Sequence, residues 1–165
     1  MEKNMISEQV ELIKSLPSKF ASFGAPVQNI ELEKLEEELR IKLPKDFKDF
    51  YSMINGFSFM GAMVYPLLAR ESNELKEDLK RIYSREHEEV VNPMPKFYFP
   101  FSPNGRGDHY CLDLSKTKDN SEVCPIVFWQ WDYTFFHPND IEVTHNSFTF
   151  WLQELLEDLM DEIDL

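Results

Sequence analysis

Apolar residues along the first third of the chain recur at three- and four-residue intervals. Over residues 6–16, Ile6, Val10, Ile13 and Leu16 fall near one face of a helix, and Pro17 ends it. Residues 18–26, punctuated by Gly24 and Pro26, read as a linker. A second helix is predicted over 29–41, with Asn29 as its N-cap and Leu32, Leu35 and Leu39 as its apolar stripe. Leu43-Pro44 stops it, and a third helix follows over 45–54 through Phe47, Phe50, Tyr51 and Ile54. Asn55-Gly56 breaks that helix, with Gly56 placed for a left-handed cap.

From Phe57 the period changes. Residues 59–68 predict one or two strands with an irregularity at Gly61 or Pro66. Helical spacing returns over 71–84 through Leu75, Leu79 and Ile82. Strands are then predicted at 97–101, 109–114, 125–131 and 133–137, with turns at 104–108 and 118–121. A last helix begins near Ser147 and turns Phe148, Trp151, Leu152, Leu155, Leu156 and Leu159 inward. Helices, then strands, then a helix define an α+β class with a mostly antiparallel sheet. The length of 165 residues fits one domain, residues 1–165.

Charge changes this picture. The net charge is −13, and Lys118 is the last basic residue. Residues 119–165 hold eleven acids and no Lys or Arg, while residues 1–118 hold 19 acids against 17 bases. Such a field disfavours nucleic acid and anionic membrane and suits a protein partner with a basic surface. The plainer reading is a solubility feature. Aromatics interleave with these acids. A strand through Trp129, Trp131, Tyr133 and Phe135 would give two largely apolar faces. Either both are core, or one exposes Trp131 or Tyr133 beside Asp132 as a partner anchor. The candidate partner-binding residues are Trp131, Asp132, Tyr133, Asp140, Glu142 and Asp158.

Catalytic and metal chemistry find little support. His109, Cys111 and Asp113 share one face of a strand, but a metal site shows a tighter and richer ligand set. A structural role is preferred for all three. Asn104-Gly105-Arg106-Gly107-Asp108 lacks a phosphate-loop lysine and opens a strand, so it reads as a turn. Cys111 and Cys124 have no metal-ligand spacing and read as reduced thiols. The N-terminus has no apolar signal core. A cytoplasmic protein without metal, cofactor or catalytic residues is expected.

Spaced motifs add a family likeness. Leu32-Glu33-Lys34-Leu35-Glu36, Leu39, Leu43-Pro44, Phe47, Phe50 and Asn55-Gly56 resemble the opening signature of the SUKH superfamily, which includes the yeast cell-wall-synthesis regulators. The stretch from Asp108 to Asp113, then Pro125-Ile126-Val127-Phe128-Trp129, Trp131-Asp132, Ser147-Phe148 and Trp151-Leu152 extend the likeness over about residues 29–157. The family often has Gly where Arg40 stands, which suggests a tighter or more helical turn here. The resemblance implies N-terminal helices and a C-terminal helix packed on a curved sheet. It also implies non-catalytic protein binding, as in immunity proteins that neutralise polymorphic toxins. The alternative is an intracellular scaffold or regulator with a housekeeping partner. The resemblance carries over no catalytic residues.

Overall fold

The structure, a computed structural model, describes residues 2–68, 77–117, 121–132 and 141–163. Helix α1 spans Glu2–Ser15, α2 Asn29–Leu39 and α3 Lys45–Tyr51. Strands β1 (Ala21–Phe23), β2 (Phe57–Phe59) and β3 (Ala62–Val64) form an antiparallel sheet in that order. Helix α4 (Leu79–Ser84) runs into a π-helical turn, Arg85–Glu89. Strands β4 (Tyr98–Pro103), β5 (His109–Asp113), β6 (Ile126–Trp129) and β7 (Val143–His145) form a second antiparallel sheet, also in chain order. Helix α5 covers Phe148–Ile163.

The two sheets meet at β3 and β4. Tyr65 N–H donates to the Phe101 carbonyl at 3.0 Å, and the Ser102 hydroxyl donates to the Met63 carbonyl at 2.6 Å. The expected curved sheet is therefore two short sheets joined at this seam. The expected apolar stripes are inside: Leu32, Leu35, Phe47, Phe50, Phe148, Trp151 and Leu152 are buried, and Leu39 is partly buried against the same core. Side chains alternate along β4, β5 and β6, so one face joins that main core through Phe99, Phe101, Leu112 and Ile126. The other face carries a smaller cluster of Tyr98, Cys111, Val127 and Trp129, closed by Met94.

Several sequence expectations shift. The segment expected to be a linker contains β1, whose three residues pair with β2 from Ala21 opposite Phe59 to Phe23 opposite Phe57. A strand this short leaves no periodicity to read; its partner creates it. The same holds for β7, which pairs with β6. The N-cap of α2 is Gln28, one residue earlier than expected, because the Glu31 carboxylate accepts the Gln28 N–H at 3.0 Å. The third helix ends at Tyr51, and the strand expected over 125–131 narrows to β6. The strand expected at 133–137 lies outside the described residues, as do residues 71–76 of the helix expected over 71–84.

Asn55 and Gly56 show why their pair follows a helix. Asn55 accepts the Leu67 N–H at 2.8 Å, donates to the Leu68 carbonyl at 2.9 Å, and gives its backbone N–H to Gly24. Gly56 has φ +72°, and a Cβ there would sit 2.6 Å from the Val64 carbonyl oxygen. Arg40 caps α2 at φ 56°, ψ 48°, a left-handed conformation. The turn is thus the glycine-type turn, neither tighter nor more helical, and an exposed arginine occupies it.

Two substitutions should move stability in opposite directions. Arg40→Gly removes a left-handed side-chain penalty and should stabilise by roughly 0.5–1 kcal/mol. Gly56→Ala should destabilise by at least ~2 kcal/mol through both strain and the clash. Urea denaturation midpoints measure both, and a destabilised Arg40→Gly protein would contradict the cap assignment.

Candidate functional site

An open cleft of about 690 Å³ lies over the face of the second sheet opposite α5. Glu86, Glu89, Val90, Val91, Asn92, Gly107, Trp131 and Asp132 line it. The π-helical turn and the segment after it supply one wall; the β4–β5 hairpin loop and the end of β6 supply the other.

The loop is built around Asn104. Its side-chain oxygen accepts the N–H of Arg106 at 2.8 Å and of Asp108 at 3.1 Å, and its amide donates to Asp108 Oδ2 at 2.8 Å. Asp108 is held in turn so that its Oδ1 accepts the Trp131 N–H at 3.0 Å. Asn92 donates to the Trp131 carbonyl at 3.2 Å. The backbone of Trp131 is therefore clamped on both sides while the residue is 59% exposed. Gly107, at φ +93°, lets the loop pass close to that indole: a Cβ there would come within 3.0 Å of the ring. Val91, on the facing wall, is fully exposed.

Glu86 lies at the base of the cleft, mostly buried, with Arg85 Nε 3.5 Å from its carboxylate. Burial pushes the Glu86 pKa up, and Arg85 opposes the shift. Behind it, His109 is buried on β5, with Nε2 3.0 Å from the Tyr65 hydroxyl. If Tyr65 donates to Nε2, the ring proton sits on Nδ1, 4.0 Å from Glu86 and too far for a hydrogen bond. Nδ1 has no hydrogen-bond partner among the described residues. Burial, with the Arg85 charge adding to it, pushes the His109 pKa down to about 4. Cys111, on the same face, is fully buried and its thiol pKa is pushed well up. A protonated thiol beside a neutral ring is a poor nucleophile–base pair. Among the described residues no His, Cys, Asp and Glu side chains gather as three potential metal ligands.

Residues 26–154 match the SMI1 / KNR4 family (SUKH-1). The chain belongs to this family. No curated protein matches it. The matched span agrees with the likeness read from the motifs and takes in every described wall of the cleft.

Within this SUKH-1 chain the sequence-predicted site residues divide. Trp131 and Asp132 line the cleft together. Glu142 flanks β7, and Asp158 lies on α5, across the sheet from the cleft; both are exposed. Tyr133 and Asp140 lie outside the described residues. Sequence reasoning missed Glu86, Val91, Asn92 and Gly107. Three of these come from the segment after α4, beyond the 71–84 stretch in which helical spacing is legible. The sequence marks Gly107 as a turn residue but gives no sign of its approach to Trp131. The two cysteines are free and belong to different clusters, Cys111 under the cleft and Cys124 in the main core. A larger depression of about 780 Å³ runs along Arg40, Ile41 and Lys42. Its charges are mixed, with Glu38 and Glu88 facing Arg40, Lys42 and Lys96, so it offers no single complementarity. Among the described residues no helix is long and apolar enough to cross a membrane.

Neutral burial of His109 links stability to pH. An unfolded histidine takes up a proton near pH 6.5, whereas the folded one resists until about pH 4. Its contribution is intact above 6.5 and is lost as pH falls from 6.5 to 4, by ~3 kcal/mol in all. His87, also lowered by burial, acts in the same direction; Glu86, raised by burial, opposes both. Urea titrations between about pH 7 and 5 should show stability falling with pH, and His109→Gln should flatten the fall. Equal slopes in the two proteins would refute the assignment.

Proposed function

We propose that this SUKH-1 protein is a non-catalytic immunity protein that neutralises a toxin by binding it, with Trp131 as the anchor of the interface. The observation that carries the reading is the exposed Trp131, its backbone clamped from both sides, beside Asp132 at the mouth of an apolar-walled cleft. Large aromatics with few rotatable bonds on a fixed backbone lose little entropy on binding, and such residues dominate interface energies. Family membership supports protein binding as the activity. The charge supports a basic partner: the segment after Lys118 carries only acids, and exposed Asp132, Glu142 and Asp158 contribute to that field. Tyr133 and Asp140 belong to the same acidic-aromatic stretch and complete the proposed set.

The two parts of the surface have separable kinetic roles. Complementary fields speed encounter and are screened over ~8 Å at physiological salt. A desolvated anchor acts after encounter, through dissociation.

The test is surface-plasmon kinetics against the protein captured from the native host, or against any toxin domain found encoded beside the gene. Trp131→Ala should weaken binding by about 2 kcal/mol, seen as a roughly thirtyfold faster dissociation. Gly107→Ala should act in the same direction by displacing the indole. Charge reversal at Asp132, Glu142 and Asp158 should slow association, as should added salt. A complex indifferent to Trp131 and to charge reversal would overturn the reading, and a captured partner with no toxic activity would favour the regulator alternative.

A further inference from the structure

A second surface lies on the other side of the molecule. Helices α1 and α5 leave between them a groove of about 440 Å³. Met5, Leu12, Leu156 and Met160 give it an apolar floor, and Glu8, Glu157 and Asp161 stand on its rim. Helix α5 carries no Lys or Arg. Gln9 also lines the groove and is 93% buried, being 7% exposed. Its Nε2 donates to the Thr149 carbonyl at 2.9 Å, which fixes the amide and leaves Oε1 without a donor among the described residues. A buried acceptor without a donor is costly in a folded protein. Oε1 is itself shut off from solvent, so Gln9 ties α1 to α5 behind the groove and offers no contact in it.

The geometry points to this groove as a docking site for a cationic amphipathic segment of a partner protein. The apolar side of such a segment meets the methionine-containing floor, whose thioethers adapt to varied shapes. Its Lys or Arg residues meet the acidic rim. A second copy of this chain is disfavoured, because a two-fold contact would set the acidic rim against itself. The groove is on the opposite side of the sheet from Trp131, and the inference does not rest on the reading of that cleft.

The experiment titrates the full chain against a fluorescent peptide of Lys and Leu with its Leu residues on one helical face. A peptide of the same composition with Leu spread evenly is the control. Anisotropy should show saturable binding of the amphipathic peptide, weakened by salt. Glu157→Lys with Asp161→Lys should weaken it by about tenfold. Trp131→Ala should leave it unchanged. The inference is overturned if the control peptide binds equally well, if the double charge reversal leaves affinity intact, or if sedimentation shows a dimer that the same charge reversal dissociates.

Discussion

The ring of Phe47 is the fixed point of this fold. Its centroid lies 5.0 Å from Tyr51 and from Phe148, and 5.9 Å from Phe99 and Phe101. Those rings come from α3, β4 and α5, so a single side chain sets how two helices sit on the second sheet. Mostly edge-on contacts of this kind have preferred angles and are less tolerant of sliding than aliphatic packing. Beside it, Asp46 Oδ2 accepts the N–H and hydroxyl of Thr149 at 3.1 and 2.9 Å, tying the start of α3 to the start of α5. The Thr149 carbonyl in turn takes Gln9 from α1. Three helices are thereby positioned around one aromatic cluster and one threonine.

With the helices committed to one face, the other face of β4, β5 and β6 is left to shorter elements. Met94 and the π-helical turn cover part of it, and what they do not cover is the Trp131 cleft. The buried Glu86 and His109 follow from the same arrangement. They stand where a thin layer keeps water from the sheet without supplying enough partners for every polar atom. The depressed His109 pKa is the electrostatic consequence.

What could be read from the sequence follows how local its cause is. The helix stripes through Val10, Leu35, Phe50 and Leu152 are set by spacing within one element, and the structure buries all four. Strands β1 and β7 exist because a neighbour pairs with them, so no pattern within three residues announces them. The sequence shows Trp131 among acids and leaves its exposure as one of two readings; the structure exposes it. Its setting is not legible there, because Asp108, Asn92 and Glu86 reach it from positions 23 to 45 residues earlier in the chain. The acidic segment groups Asp158 with Trp131 only by continuity in sequence; the sheet separates them in space. The left-handed Arg40 shows the converse: the family motif anticipates the conformation better than the residue does.

The clamp at Trp131 grips only main-chain atoms. Asp108 takes the N–H of residue 131 and Asn92 reaches its carbonyl, and neither touches the indole through those bonds. The socket is therefore indifferent to which side chain it displays, apart from the clearance left by Gly107. A chain built this way can exchange its display residue, and with it the molecule it recognises, while the hydrogen bonds that hold the display in place stay the same. Recognition and support become separate problems for selection, and the first can drift quickly without endangering the second.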